Sequence, residues 1–232
     1  MLAKLEKLAH TASSLAHNTS FLVRRERERS IGDADIWTDG KRSEVEQADF
    51  RAALIKFYER ANKTDPAGCP RCMILDAPLR EPHHVIASHI WKSATRGRGL
   101  EQFNLDRDDL NDPRNGLLLA KPIEVAFDQK RLCFIWHMSE ECFKLHLLDP
   151  QLAAEDASRF LGLTFGSLQG QVLRCPPGRR PWRRLLQWHA YCSFAEAKRL
   201  KWPEGDNFEL FKDLSALSEG ARWPIDPTDD LV

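Results

Sequence analysis

Apolar positions along this chain switch between a helical and a strand-like period, and the switches mark out its elements. Leu2, Leu5, Leu8, Ala9, Ala12, Leu15 and Ala16 recur at helical spacing and predict an opening amphipathic helix. That helix either packs on the rest of the chain or joins two copies, which would make a homodimer. Residues 24–29 (RRERER) are mixed in sign and read as a solvated helical face, and residues 31–42, with two Gly-containing turns, as loop. Ser43 followed by Glu46 forms a capping box. It predicts a helix from residue 43 to about residue 62, with Phe50, Leu54, Phe57, Tyr58 and Ala61 on one stripe.

The period then shortens. Val85, Ala87 and His89 alternate with Ile86 and Ser88, which predicts a strand ending in a histidine. After a charged excursion, Asn115-Gly116 leads into Leu117, Leu118 and Leu119, a buried strand, and Pro122 opens a short helix. The segments CFIWHM and KLHLL predict a hairpin. Residues 151–161 read as a helix stopped by Gly162, and residues 171–174 as a short strand. A long helix runs from Pro181 to about Leu200, with Trp182, Leu185, Leu186 and Cys192 on its apolar face. Residues 208–217 predict a last helix, and residues 223–232 a loose acidic tail. The pattern is that of an α+β chain in three parts. These are a helical region over 1–64, a core over 65–150 and a mainly helical extension over 151–232 that packs on the core.

Composition narrows the function. Thirty-four basic and 34 acidic residues cancel, so bulk attraction to nucleic acid is excluded and any phosphate grip must be local. No apolar run reaches the length of a membrane span, and Lys4, Glu6 and Lys7 break the first stretch. The expectation is an intracellular protein of cytoplasm or nucleus, without a membrane partner, whose six cysteines are reduced.

The candidate chemistry lies in the middle. His89 ends its strand where a ring nitrogen can project into a cleft, and a neutral imidazole suits proton abstraction near pH 7. Asn115 is either a turn residue or an amide that bridges the two strands and orients the imidazole. Glu124 and Asp128 stand at i and i+4 and can reach one cation, or else they are solvated acids. His83 and His84 precede the strand as possible ligands or substrate contacts. Cys69 and Cys72 are half of a structural zinc site, or two buried residues in a turn. Lys92, Arg96 and Arg98 form a basic loop with Gly97 and Gly99. A second cluster, Arg174, Arg179, Arg180, Arg183 and Arg184, surrounds the start of the long helix, where phosphate is favoured. Trp182 among them either stacks on a base or packs.

Taken in order, Ala87-Ser88-His89-Ile90, Asn115-Gly116-Leu117-Leu118-Leu119 and Phe127-Asp128 resemble the HNH endonuclease family, the ββα-metal nucleases. Gly170-Gln171-Val172-Leu173, Pro181 and Trp188-His189 look like the C-terminal extension of its fungal-type members. The resemblance implies a ββα-metal core flanked by N-terminal and C-terminal helices, and a metal-dependent endonuclease acting on double-stranded DNA. It assigns His89 as general base and Asn115 as the residue that orients it. Glu124 and Asp128 become metal ligands, and Ser88 takes the position before the base where a ligand often stands. The chain departs from the family pattern at Glu124, where a histidine is usual, and at Ser88. Two oxygen donors shift the implied cation from Zn²⁺ towards Mg²⁺ or Mn²⁺. The alternative is a catalytically degenerate module that only binds nucleic acid.

Overall fold

A computed structural model describes residues 43–61, 65, 69–77, 79, 82–158 and 161–202. The predicted opening helix, the RRERER stretch, the loop at 31–42, the helix at 208–217 and the acidic tail lie outside the described residues. Helix α1 spans Glu44–Phe57, and its capping box forms: the Glu46 amide donates to Ser43 Oγ at 3.2 Å, and the Ser43 amide donates to the Glu46 carboxylate at 3.0 Å. It is shorter than the apolar stripe predicts. Glu59 adopts a left-handed φ of 52°, and the Arg60 side chain is drawn away to Asp76 at 2.7 Å, so the chain cannot continue the helix.

The centre is a ββα unit. Strand β1 (Val85–His89) pairs antiparallel with β2 (Gly116–Ala120), placing His89 opposite Gly116. Helix α2 (Lys121–Asp128) follows β2 without a break, with Pro122 in its first turn where its missing N–H costs nothing. All five residues of β2 are buried, which accounts for a continuous apolar run in place of an alternating one. Its outer side is closed by sulfur acceptors, with the Ala120 amide on Cys72 Sγ at 3.2 Å and the Leu118 amide on Met73 Sδ at 3.3 Å.

Strands β3 (Leu132–His137) and β4 (Cys142–Leu147) form the predicted hairpin. The expected helix over 151–161 is instead a 3₁₀ turn (Pro150–Ala154) followed by a short strand β5 (Asp156–Ser158), which pairs with β6 (Leu163–Thr164). Arg131 explains the change: its guanidinium binds Asp149 at 2.7 Å and Glu155 at 2.5 Å, clamping both ends of the turn. The expected strand over 171–174 is reduced to a single bridge, Lys144 to Val172. Helix α3 (Arg183–Arg199) packs on β3, where Ala190 meets Cys133 and Ile135. One hydrophobic core runs from Phe50 and Leu54 through the leucines of β2 to Leu185 and Leu186. The architecture is α+β, a ββα core with a helix on either side. Among the described residues, no helix is long and apolar enough to cross a membrane.

Candidate functional site

A cleft of about 720 Å³ opens between α1 and α2, with β1 as its floor. Its lining brings together His83, Ser88, His89, Lys92, Glu124 and Asp128. Five of these come from two short stretches of sequence, and the β1–β2 pairing sets those stretches side by side.

His89 is half-buried, and its imidazole stacks on the Phe50 ring, with centroids 3.7 Å apart and planes 15° from parallel. Phe50 is 3% exposed and also packs against Gly116, where an added Cβ would come within 2.6 Å of Phe50 Cζ. Gly116 is therefore small because α1 has to approach the strand pair, and that approach sets the plane of the histidine. Burying Phe50 contributes roughly 2–3 kcal/mol and fixes the ring on which His89 rests. The sequence marked Phe50 only as one of an apolar stripe.

Asn115 is fully buried in a 3₁₀ turn (Pro113–Asn115) just before β2. Its Oδ1 accepts the Trp91 amide at 2.8 Å, and its Nδ2 donates to the carbonyls of Leu110 at 2.8 Å and Trp91 at 3.2 Å. These are backbone contacts. The bridge between the two strands therefore forms just beyond His89, tying the end of β1 and the loop to the start of β2. Each bond contributes about 0.5–1.5 kcal/mol.

Glu124 is buried and pairs with Lys121 Nζ at 2.8 Å, while Asp128 stands at the cleft rim. Loss of solvent around its carboxyl, and then the charge of Glu124, raise the Asp128 pKa, with Lys92 and Lys121 acting in the opposite direction. Glu124 thus sits close enough to disfavour charge on Asp128, and the nearby lysines offset this only in part. Such a donor set fits a hard divalent cation. Among the described residues, no three His, Cys, Asp or Glu side chains group as ligands. Arg51 of α1 is a cleft residue that sequence reasoning missed; its guanidinium donates to the Val85 carbonyl. It lies on the same helix face as Phe50 and Leu54 but outside the segment that carries the motifs.

The basic loop is built on Trp91, whose indole donates to the Arg98 carbonyl at 3.0 Å and whose ring lies within 2.6 Å of where a Cβ on Gly99 would stand. Lys92, Arg96 and Arg98 are exposed around this anchor. The second arginine cluster is different. Arg179 pairs with Glu59 at 2.9 Å, Arg174 approaches Asp76 at 3.7 Å, and Arg180 and Arg183 lie over the Trp136 ring. Arg184 is 3% exposed and faces the ring of Trp182, itself buried. The expectation of Arg184 as a surface contact to nucleic acid is corrected: α3 turns it inward with Leu185 and Leu186. Trp182 packs and cannot stack on a base. Cys69 and Cys72 are both buried in the turn before β1 and form no disulfide.

Residues 69–135 match the HNH endonuclease family. The match spans β1, β2 and α2, the whole floor and one wall of the cleft. Comparison with curated proteins finds no match for the chain. The HNH segment points to nuclease-type activity on a nucleic acid, and HNH nucleases generally use a divalent metal.

Proposed function

We propose that the protein is a metal-dependent endonuclease that hydrolyses phosphodiester bonds in double-stranded DNA. The observation that carries this reading is the cleft in which His89, Glu124 and Asp128 meet within the HNH segment. In this reading residues 65–150 are the nuclease core, and residues 1–64 and 151–232 flank it. The Gly170–Leu173, Pro181 and Trp188-His189 motifs favour the fungal-type branch.

In this reading His89, which lines the cleft, acts as general base and accepts a proton from the attacking water. Phe50 keeps the imidazole plane fixed, and Asn115 holds the backbone that carries it. Glu124 and Asp128, with Ser88 nearby, would hold Mg²⁺ or Mn²⁺ in preference to Zn²⁺. The bound ion would supply Lewis-acid stabilisation of charge developing on the phosphate and the leaving oxygen. Lys92 stands at the cleft edge to meet the scissile phosphate. Arg96 and Arg98, with Arg179, Arg180 and Arg183 at a distance, would grip the flanking backbone.

The test is plasmid nicking with and without divalent cations. Wild type should nick in Mg²⁺ or Mn²⁺, and His89→Ala should not. A wild type that leaves DNA and RNA intact across several divalent cations would remove the reading. The Lys121–Glu124 ion pair favours a second one, a degenerate module that binds without cutting. It requires salt-sensitive binding with no cleavage in any cation.

A further inference from the structure

Helix α3 contributes no side chain to the cleft lining, yet it touches the helix that carries the carboxylates. His189 lies in its middle, with Nε2 3.1 Å from the Phe127 carbonyl oxygen and its ring stacked on the Phe127 ring at 3.7 Å and 15°. A carbonyl only accepts, so Nε2 carries the proton and donates. One turn on, Ser193 Oγ donates to the His189 carbonyl at 2.8 Å and lies 3.4 Å from Nδ1. The imidazole is held by its donation to the Phe127 carbonyl and by the stack on the Phe127 ring.

Phe127 immediately precedes Asp128. A peptide unit is planar, so fixing the Phe127 carbonyl fixes the Asp128 nitrogen and Cα as well. The need is real. Helix α2 has only eight residues, and Asp128 is the last of them, in the turn where carbonyls lack intrahelical partners and helices fray. The same carbonyl also accepts the Lys130 amide at 2.9 Å as the chain turns towards β3. Two donors from different elements therefore converge on the peptide bond that carries the second carboxylate. Glu124 needs no such tie, because it lies one turn inside the helix.

We infer that His189 is a positioning residue for the metal site, acting through the Phe127–Asp128 peptide, so that the C-terminal extension sets how well the ion is held. This rests on Glu124 and Asp128 as the metal pair. Outer partners of metal ligands typically contribute about 10–100-fold in affinity.

The experiment is titration calorimetry of the full chain with Mn²⁺ in the absence of nucleic acid, with thermal unfolding recorded beside it. His189→Phe keeps a ring on Phe127 but loses the donor, and it should weaken Mn²⁺ binding about tenfold. His189→Gln keeps an N–H of similar reach and should stay within about threefold of wild type. In plasmid nicking, His189→Phe should need more Mn²⁺ for half-maximal rate yet reach the wild-type plateau. Should His189→Phe fail to fold, His189→Asn, polar but too short to reach the carbonyl, replaces it with the same expectation. The inference is overturned if the donor-less variant binds Mn²⁺ as wild type does, or if both variants lose stability while affinity stays put. Failure of the metal pair looks different: Asp128→Asn would then bind Mn²⁺ like wild type, and that result overturns both.

Discussion

Gly116→Ala tests the link between helix packing and the proposed base. The new methyl would sit 2.6 Å from Phe50 Cζ and 2.8 Å from Leu54 Cδ2, against a comfortable carbon–carbon contact of about 3.5–4.0 Å. The Phe50 ring must therefore retreat by about 1 Å. It has little room to do so, since it is 3% exposed and stacked on His89 at 3.7 Å. Overpacking of this kind costs about 1–3 kcal/mol. A 1 Å displacement of a reacting group costs on the order of 100-fold in rate. Urea unfolding and initial rates of plasmid nicking, measured on the same preparation, should show both losses. Adding Phe50→Leu should recover part of the stability, because the shorter side chain makes space for the methyl, but not the rate, because the stack is gone. A Gly116→Ala protein with wild-type midpoint and wild-type nicking would refute the reasoning.

Three further outcomes follow from the same geometry. Glu124→His restores the histidine that the family pattern places there and should move the cation ranking for nicking towards Zn²⁺ or Ni²⁺; an unchanged ranking would count against Glu124 as a ligand. Burial, then His137 and Lys144, push the His146 pKa down to about 4, and its Nε2 lies 3.3 Å from that of His137. A depressed histidine binds fewer protons folded than unfolded. Stability is thus intact above about pH 6.5 and falls as pH drops towards 4, by on the order of 3 kcal/mol in all. His146→Leu should flatten that acid limb in thermal unfolding between pH 7 and pH 4, and an unaltered slope would contradict the assignment. Replacing Lys92, Arg96 and Arg98 together by alanine should reduce the salt slope of DNA binding by roughly two to three. Arg184→Ala should leave the slope alone and lower the unfolding temperature; the reverse pattern would show the phosphate contacts to be misassigned.

The elements that carry the site were legible because local signals agree there. The alternation ending at His89, the all-apolar β2 and Pro122 at the start of α2 each point to one structure, and the capping box does the same for α1. What could not be read are contacts between distant segments. Nothing in the sequence near His89 says that Phe50 will lie on its ring, and nothing near Asp128 says that His189 will hold the preceding carbonyl. The helix expected over 151–161 failed because Arg131, outside it, binds Asp149 and Glu155 and imposes a turn. Arg184 misled for a similar reason. An arginine-rich run reads as surface until the rotation of α3 about Leu185 and Leu186 is known.

The 26 residues from Ile90 to Asn115 that separate β1 from β2 also govern when the site can exist. Closing a loop of that length costs roughly 3 kcal/mol in chain entropy before any pairing offsets it. The hairpin therefore cannot form early by itself, as a tight two-residue turn would allow. A growing chain that has reached Asn115 holds the histidine but neither its strand partner nor either carboxylate. One that has reached Asp128 still lacks the donor on α3. For a protein with the proposed activity, the order of synthesis acts as a safeguard: the carboxylates follow the histidine, and the full hold on the ion waits for α3.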